Sequence, residues 1–415
     1  MRYVARLVQQ ELLKASRSFP AVILTGPRRA GKTTLLRHLF PAADYRLLED
    51  PEVVARVRAD ARTFLEEIKT PVILDEIQNT PELLNYVRAA VDRAPARMGR
   101  WLLTGSQEAP LMRGVTESMA GRAAVFQLLP LAVAESPRVS LIAGGFPEAL
   151  SRPSTRQTWF RSYIQTYLER DVRAVSSIRD LATFRRFIAL LASRCGQILN
   201  KTDLAGPLGV SVPTVTQWLG ILETTGEILV VPPYFENFGK RLIKSPKVYL
   251  ADSGLACHLL GIENEAALRR SPFLGPLFEG FVASEIVKIQ SGMGRRRELY
   301  HFRDQQGLEV DFVVPLGAQS LALLEAKASA TPHPEMGEPL ARLSRSIRAR
   351  EARCAVIHRR AKGAPATHAL RPGVAAAAVT DLTDLLARGR WGTTGWTSRS
   401  SSGRRVRRRP ARSRG

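Results

Sequence analysis

Nine consecutive residues near the start of the chain have the types and spacing that bind a phosphate chain. Gly26 and Gly31 are separated by four residues, and Lys32 and Thr33 follow the second glycine at once. Glycines allow the backbone to curl until its N–H groups face phosphate oxygens. A lysine ammonium at this position meets the phosphates of a nucleotide, and the threonine hydroxyl suits Mg²⁺. The predicted phosphate loop consists of Gly26, Pro27, Arg28, Arg29, Ala30, Gly31, Lys32, Thr33 and Thr34.

The sequence around this phosphate loop predicts a strand before it and a helix after it. Residues 21–24 form a short apolar run, and residues 34–40 carry leucines at helical spacing. A helix that begins at the loop directs the positive end of its dipole toward bound phosphates. The alternative is a chance match in an ordinary strand–helix turn, and the flanking pattern favours the nucleotide site.

A pair of acids, Asp75 and Glu76, supplies the second half of the predicted chemistry. They follow the apolar run 71–74, which predicts a buried strand. An aspartate at a strand end can hold Mg²⁺ through water, and the next glutamate can polarise an attacking water. An isolated Asp-Glu pair is otherwise a solvated loop, but its position at the end of a buried strand favours the catalytic interpretation.

Strand and helix patterns alternate along residues 1–135. Such alternation predicts an α/β fold in which a mostly parallel sheet carries helices on both faces. The ligand crevice of such a sheet lies at the carboxyl ends of its strands. Gly26, Asp75 and Ser106 fall at such ends, so the fold would bring the phosphate loop, the acids and a polar strand tip together.

The order of these motifs resembles that of the AAA+ ATPases, a class of P-loop NTPase. The resemblance implies ATP as the nucleotide, in preference to GTP, with Mg²⁺ as its metal. It agrees with the roles already predicted from the residues, in which Glu76 is catalytic and Thr33 and Asp75 hold the metal.

The same resemblance implies roles for four further residues. Ser106 or Gln107 would sense the γ-phosphate or orient water, and Arg122 would reach the nucleotide of a neighbour in a homo-oligomer. Arg170 would sense phosphate from the lid side. The ordinary alternatives are a cation at a helix C-terminus for Arg122 and a solvated or salt-bridged helix face for Arg170.

A helix-turn-helix rhythm is present in the middle of the chain. Residues 200–208 and 212–224 predict two helices around a turn, and strands at 227–231 and 247–250 would form a wing. A DNA-reading second helix would offer Ser211, Thr214, Thr216 and Gln217. The wing cations that could meet phosphates are Lys240, Arg241, Lys244 and Lys247. The alternative is a winged helix used only for packing or as the lid of the ATPase.

Three residues near the C-terminus resemble the PD-(D/E)xK nuclease pattern. Asp311 and Glu325 fall on predicted adjacent strands, and Lys327 follows two positions after the second acid. The two carboxylates could share a second Mg²⁺ or Mn²⁺, and the lysine on the same face could activate water. Glu279 on the preceding helix could complete the pocket. No Pro-Asp precedes the first acid, and the alternative is a pair of sheet acids neutralised by Lys327.

The composition points to a polyanionic partner and a reducing compartment. The 415 residues carry a formal net charge of +23, and the arginine-rich residues 388–415 contain no acid. The three cysteines are far apart and predict buried thiols rather than a disulfide or a metal site. With no secretion signal and no apolar run of membrane-spanning length, the expected location is the cytoplasm, without a membrane partner.

Almost the whole chain resembles a group of predicted bacterial and archaeal ATPases that join an AAA domain to a winged helix and a restriction-endonuclease-like module. Further matching motifs are Lys244-Ser245-Pro246-Lys247 and Asp252-Ser253-Gly254-Leu255. The predicted domains are the ATPase at 1–135, a helical joint or lid at 136–180, the winged helix at 181–260, the nuclease-like α/β domain at 270–386 and a disordered basic tail at 387–415. The resemblance implies a Mg²⁺-dependent ATPase that couples nucleotide state to DNA; the alternative is a non-enzymatic switch that binds DNA or a partner protein.

Overall fold

The computed structural model describes residues 3–106, 118–168, 181–234, 245–347, 349–360 and 367–387, together with 389 and 391. Gln107, Arg170 and the wing cations Lys240, Arg241 and Lys244 lie outside these ranges. All but three residues of the predicted basic tail lie outside them as well.

The N-terminal part is built on a parallel sheet. Its strands are β1 (Ala21–Thr25), β2 (Asp44–Leu47), β3 (Val72–Asp75), β4 (Trp101–Thr104) and β5 (Ala123–Gln127). The strand order is β2-β3-β4-β1-β5, and every neighbouring pair is parallel. The carboxyl ends of all these strands therefore meet at one edge, and the predicted parallel α/β core is confirmed.

Helices of the described residues cover both faces of this sheet. Because successive strand side chains point to opposite faces, Ile23 packs in one apolar cluster with Val87, while Leu24 packs in another with Leu12. The covering helices are Gln9–Ser18, Lys32–Leu39, Pro51–Ala59, Ala61–Glu67 and Leu83–Arg93.

The middle of the chain is mainly helical. Its helices are Pro147–Ser151, Arg156–Tyr163, the π-helix Ile164–Leu168, Leu181–Ser193, Lys201–Leu208 and Val212–Thr224. The side chains of Asn200 and Ser211 cap the last two helices, and Gly209 between them takes a left-handed φ of 65°. β6 (Ile228–Val231) and β7 (Lys247–Leu250) then pair antiparallel. These helices and strands lie where the helix-turn-helix pattern predicted them.

The C-terminal part contains a second, mixed sheet. Its strands are β8 (Tyr300–Arg303), β9 (Glu309–Pro315), β10 (Ser320–Lys327), β11 (Glu351–His358), β12 (His368–Arg371) and β13 (Val374–Ala378), in the order β12-β13-β11-β10-β9-β8. The register sets Phe312 of β9 opposite Leu324 of β10, so Asp311 and Glu325 are neighbours across the pair. The accompanying helices are Ser253–Leu259, Glu265–Arg270, Leu274–Gly292, Glu338–Ser346 and Leu382–Ala387.

The long helix Leu274–Gly292 joins the two halves of the molecule. Its Glu285 carboxylate accepts the N–H of Val133 at 2.7 Å, and the Lys288 ammonium donates to the carbonyl of Leu131 at 3.1 Å. Glu285 and Lys288 also pair with each other at 2.9 Å, and both are buried. Burial of a charged pair is tolerated when each partner is hydrogen-bonded, as both are here. Among the described ranges, no helix is long and apolar enough to cross a membrane.

Candidate nucleotide site and a buried carboxylate cluster

Backbone geometry requires glycine at positions 26 and 31 of the phosphate loop. Gly26 has a φ of 139°, and a Cβ there would stand 2.1 Å from the carbonyl oxygen of Leu128. Gly31 has a φ of 98° and directly precedes the helix Lys32–Leu39. The first glycine therefore permits a close approach of two backbones, and the second turns the chain into the helix.

The Lys32 side chain lies over its own loop. Its ammonium donates to the carbonyl of Gly26 at 2.9 Å and to that of Pro27 at 3.1 Å, and the residue is 4% exposed. A buried ammonium held by neutral carbonyls is well placed to accept the negative charge of a phosphate chain in the same loop.

Oxygen atoms converge on Asp75 at the end of β3. The Thr33 hydroxyl lies 2.9 Å from both carboxylate oxygens, and the Tyr45 hydroxyl donates to one of them at 2.7 Å. The Thr104 hydroxyl also hydrogen-bonds to Asp75. Burial and the bond to Asp75 raise the pKa of Tyr45, so Tyr45 remains a donor at neutral pH. Hard oxygen donors of this kind suit Mg²⁺, so the residues present fit the metal.

Glu76 has a left-handed backbone, with a φ of 62°, immediately after the strand. Its N–H donates to the Thr104 hydroxyl at 3.1 Å, and its carboxylate lies 3.9 Å from the guanidinium of Arg28. The Gln78 amide donates to the same carboxylate. The acid therefore has a fixed direction at the edge of the sheet.

A cavity of about 970 Å³ lies over this edge. Lys32, Thr33, Asp75 and Glu76 all line it. Further lining residues come from the N-terminal segment (Tyr3, Val4 and Arg6) and from the helix Pro147–Ser151 and the residue after it (Pro147, Glu148, Ser151 and Arg152). The volume is at the upper end of the range for small-molecule sites and accommodates a nucleotide. The sequence-predicted phosphate loop and acid pair thus meet in one concave site.

Two long-range contacts tie the phosphate loop to the rest of the chain. The Arg6 guanidinium donates to the carbonyl of Ala30 at 2.9 Å and to that of Leu129 at 2.6 Å, and it pairs with Glu135. Arg29 pairs with Glu148 at 3.1 Å across the cavity. Sequence reasoning missed Arg6 and Glu148, because nothing in the local pattern indicates which distant segment touches the loop.

Ser106 and Arg122 occupy different surroundings. Ser106 is 2% exposed, and its N–H donates to the side-chain amide oxygen (Oε1) of Gln78 at 3.1 Å. Arg122 is exposed and forms a two-point pair with Asp92, at 2.6 and 3.1 Å. Asp92 holds the pKa of Arg122 above its ordinary value. Ser106 is therefore buried beside Gln78 and is not among the residues that line the cavity, whereas Arg122 faces outward.

A second polar cluster, the carboxylate cluster, lies between β7 and the C-terminal sheet. The Lys247 ammonium stands 2.8 Å from Glu279, 2.8 Å from Glu309 and 3.5 Å from Asp311. Lys247 is 3% exposed, and Tyr249 donates to Glu279 at 2.5 Å. The prediction that Lys247 is a wing cation facing DNA is wrong, because its charge is used inside the protein.

The other members of the carboxylate cluster are Glu325 and Lys327. The Lys327 ammonium pairs with Glu325 at 2.7 Å, and Asp311 accepts the N–H of Ala326 at 2.9 Å. Burial and the charge on Asp311 raise the pKa of Glu279 to about 7 and that of Glu325 to about 8. Within the described part of the chain, no group of three or more acidic, histidine or cysteine side chains is arranged to hold a metal ion.

Comparison with known protein families assigns the first domain. Residues 18–136 match the family described as "AAA domain", so this part of the chain is an AAA-type P-loop domain. Residues 135–266 and 274–372 match two families described as domains of unknown function, DUF8612 and DUF4143.

Two curated mycobacterial relatives extend the comparison to most of the chain. Uncharacterized protein Rv2008c of Mycobacterium tuberculosis and Uncharacterized protein Mb2031c of Mycobacterium bovis are each 34% identical over 328 residues. The match covers 77% of this chain and 73% of each relative. The chain therefore belongs to the family of these proteins.

Solved structures with partial likeness come from two archaea. A Walker-type ATPase of Pyrococcus abyssi is 16% identical, with a TM-score of 0.41 over 60% of this chain and 94% of that one. A signal transduction ATPase (STAND) of Pyrococcus horikoshii is 14% identical, with a TM-score of 0.21 over 68% of this chain and 48% of that one.

Proposed function

We propose that the protein is a Mg²⁺-dependent ATPase. The observation that carries this proposal is the convergence of Lys32, Thr33, Asp75 and Glu76 on one cavity at the carboxyl ends of parallel strands. A phosphate-binding lysine and a base-type glutamate in one site are the parts that phosphoryl transfer to water requires. The AAA-type domain at residues 18–136 supports ATP as the nucleotide.

The groups of the site have separate roles in the proposed reaction. The loop N–H groups and the Lys32 ammonium bind the β- and γ-phosphates, and Thr33 with Asp75 would hold Mg²⁺, which neutralises phosphate charge when bound. Glu76 orients the attacking water and takes its proton. Arg28, 3.9 Å from Glu76, adds positive charge beside the γ-phosphate position.

Replacing Glu76 with glutamine is expected to keep ATP binding and stop turnover. The amide has nearly the same shape but cannot accept the proton of water, so kcat should fall about 100-fold or more. Steady-state phosphate release and equilibrium binding of a fluorescent ATP analogue measure the two effects. Glu66→Gln, on the exposed face of the helix Ala61–Glu67, is the matched control. Equal turnover in both variants would contradict the role of Glu76.

The same measurement separates the ATPase from its rival, a non-enzymatic switch. In that alternative the protein binds the nucleotide without turning it over, and nucleotide binding controls whether the protein binds DNA or a partner protein. Turnover by the unchanged protein no faster than spontaneous ATP hydrolysis would favour the switch.

DNA binding through the helix Val212–Thr224 is a further part of the proposal. Its supporting observations are the exposure of Ser211, Thr216 and Gln217 and the net charge of +23. The opposite face of this helix buries Trp218 and Leu219 in the core, so only one face remains for a partner. Contacts of polar side chains to base edges and of cations to phosphates are the chemistry of such a surface.

A homo-oligomer in which Arg122 reaches a neighbour's nucleotide stays a proposal. The exposure of Arg122 supports it. Asp92 now holds both sides of the guanidinium, so a γ-phosphate would have to replace Asp92 as the two-point partner.

For the C-terminal module we propose a nuclease-like scaffold that does not cleave. Asp311 beside Glu325, with Lys327 next to it, supports the likeness to a nuclease. The Lys247 ammonium pairs with both Glu279 and Asp311. A divalent cation in this site would need the same carboxylates as ligands, so the ammonium competes with it. The buried lysine thus supplies the positive charge that the acids require.

DNA incubated with the full chain and Mn²⁺ is therefore expected to remain intact. Supercoiled and single-stranded substrates, each with and without ATP, should show no nicking above that of Asp311→Ala on an agarose gel. Mn²⁺-dependent nicking that disappears in Asp311→Ala would contradict this proposal and identify the module as an active nuclease.

A further inference from the structure

Gln78 lies just behind the catalytic edge, in a place that the proposed mechanism does not use. It belongs to the short 3-10 helix Ile77–Asn79, which begins directly after Glu76. Glu76 lines the nucleotide cavity, and Gln78 contacts that glutamate. A side chain in this place acts on the reaction only through its neighbour.

The Gln78 amide makes one hydrogen bond with each of its two polar groups. Its NH₂ group donates to the Glu76 carboxylate, and its carbonyl accepts the N–H of Ser106 at 3.1 Å. A carboxylate only accepts and a backbone N–H only donates, so these partners fix the orientation of the amide. Of the side chains of this length, glutamine alone provides both polarities.

The end of β4 holds the acid pair through a second residue as well. The Thr104 hydroxyl bonds to the Asp75 carboxylate and accepts the N–H of Glu76 at 3.1 Å. The Thr104 side chain therefore contacts both Asp75 and Glu76, and the backbone N–H of Ser106 reaches the Glu76 carboxylate through Gln78. One strand end thus fixes the metal-side acid and the base-side acid together.

We propose that Gln78 is the positioning residue of Glu76. It ties the carboxylate to the end of β4 and points it into the cavity. This inference rests on the proposed ATPase activity and adds the element that sets the direction of its base. Hydrolysis keeps its rate while the base is held within a few tenths of an ångström of its place, whereas a displacement of about 1 Å lowers the rate about 100-fold.

The decisive variants are Gln78→Met, which keeps the length but loses both hydrogen bonds, and Gln78→Ala. Both are expected to lower kcat by about 10- to 100-fold while the Kd for ATP stays within about twofold, because Gln78 does not line the cavity. Gln10→Ala, on the exposed face of the helix Gln9–Ser18, is the matched control.

Gln78→Glu separates the two hydrogen bonds of Gln78. The carboxylate keeps the length of the side chain and can still accept the N–H of Ser106, but it cannot donate to the Glu76 carboxylate. A lower kcat with a Kd for ATP within about twofold is expected, because only the contact that directs Glu76 is lost.

The outcomes separate the inference from the proposed function. A kcat that is unchanged or raised in Gln78→Met and Gln78→Ala, while the unchanged protein hydrolyses ATP, overturns the inference alone. So does a loss confined to KM, or an unchanged kcat in Gln78→Glu. Absence of turnover in the unchanged protein overturns both.

Discussion

Lys32→Ala is expected to abolish ATP binding and, with it, turnover. The variant loses the buried ammonium that two loop carbonyls hold beside the phosphate position. A charge-assisted contact to phosphate in a water-poor site is worth several times its value in bulk water, and alanine offers nothing in its place. Equilibrium binding of a fluorescent ATP analogue, together with phosphate release, measures the loss.

The control for this variant is Lys14→Ala. Lys14 is exposed on the helix Gln9–Ser18 and pairs only with its helix neighbour Glu11 among the contacts described. Its removal should leave both assays within about twofold, because exposed pairs contribute little. Equal ATP binding by Lys32→Ala and Lys14→Ala would contradict the assignment of the phosphate loop to the ATP site.

The second large effect is on stability. Lys247→Met should destabilise the protein by about 3–5 kcal/mol, because it leaves Glu279 and Asp311 buried without their cation. The loss is measured by chemical denaturation of the full chain, followed by circular dichroism. Lys247→Met combined with Glu279→Met removes both charges of one of the two closest pairs and should recover part of the loss.

The pH dependence of the Lys247 effect has a definite sign. The folded-state pKa of Glu279, about 7, and that of Glu325, about 8, lie above the ordinary value of a glutamate. The fold therefore favours the protonated carboxyls, and their contribution to stability is lost as the pH rises through 7 and 8. Because the Lys247 charge lowers the pKa of Glu279, Lys247→Met should be most destabilised above pH 7, where Glu279 is ionised in the unchanged protein.

Lys327→Met provides the comparison. The Lys327 side chain is 38% exposed, so water already screens its pair with Glu325. A smaller loss than that of Lys247→Met is expected. Equal losses in the two variants would contradict the view that Lys247 is the principal cation of the carboxylate cluster.

The parts of the site that the sequence predicts are those encoded in short stretches. Gly26, Gly31 and Lys32 stand at fixed spacing within one turn between strand and helix, so local backbone chemistry determines their geometry. Asp75 could be placed at the same edge because parallel strands bring their carboxyl ends together. The same reasoning recovers the helices around Gly209, where Asn200 and Ser211 are capping residues.

The parts that the sequence does not predict depend on contacts between distant segments. Tyr45 reaches Asp75 only because β2 pairs with β3, and Lys247 reaches Asp311 only because β7 packs beside the second sheet. A lysine in a basic segment has no local signal that distinguishes a surface cation from a buried one. Gln78 is two positions from Glu76, yet its role depends on Ser106 across the sheet edge.

The long helix Leu274–Gly292 has a thermodynamic consequence. Its Lys288 bonds to the carbonyl of Leu131, and Leu131 also lines the nucleotide cavity. A ligand that holds this cavity wall in place lowers the free energy of the state in which the helix is docked. By linkage, any partner that alters helix docking changes the affinity for that ligand by the same factor. Amide protection of the helix Leu274–Gly292 is therefore expected to rise when the protein binds a nucleotide.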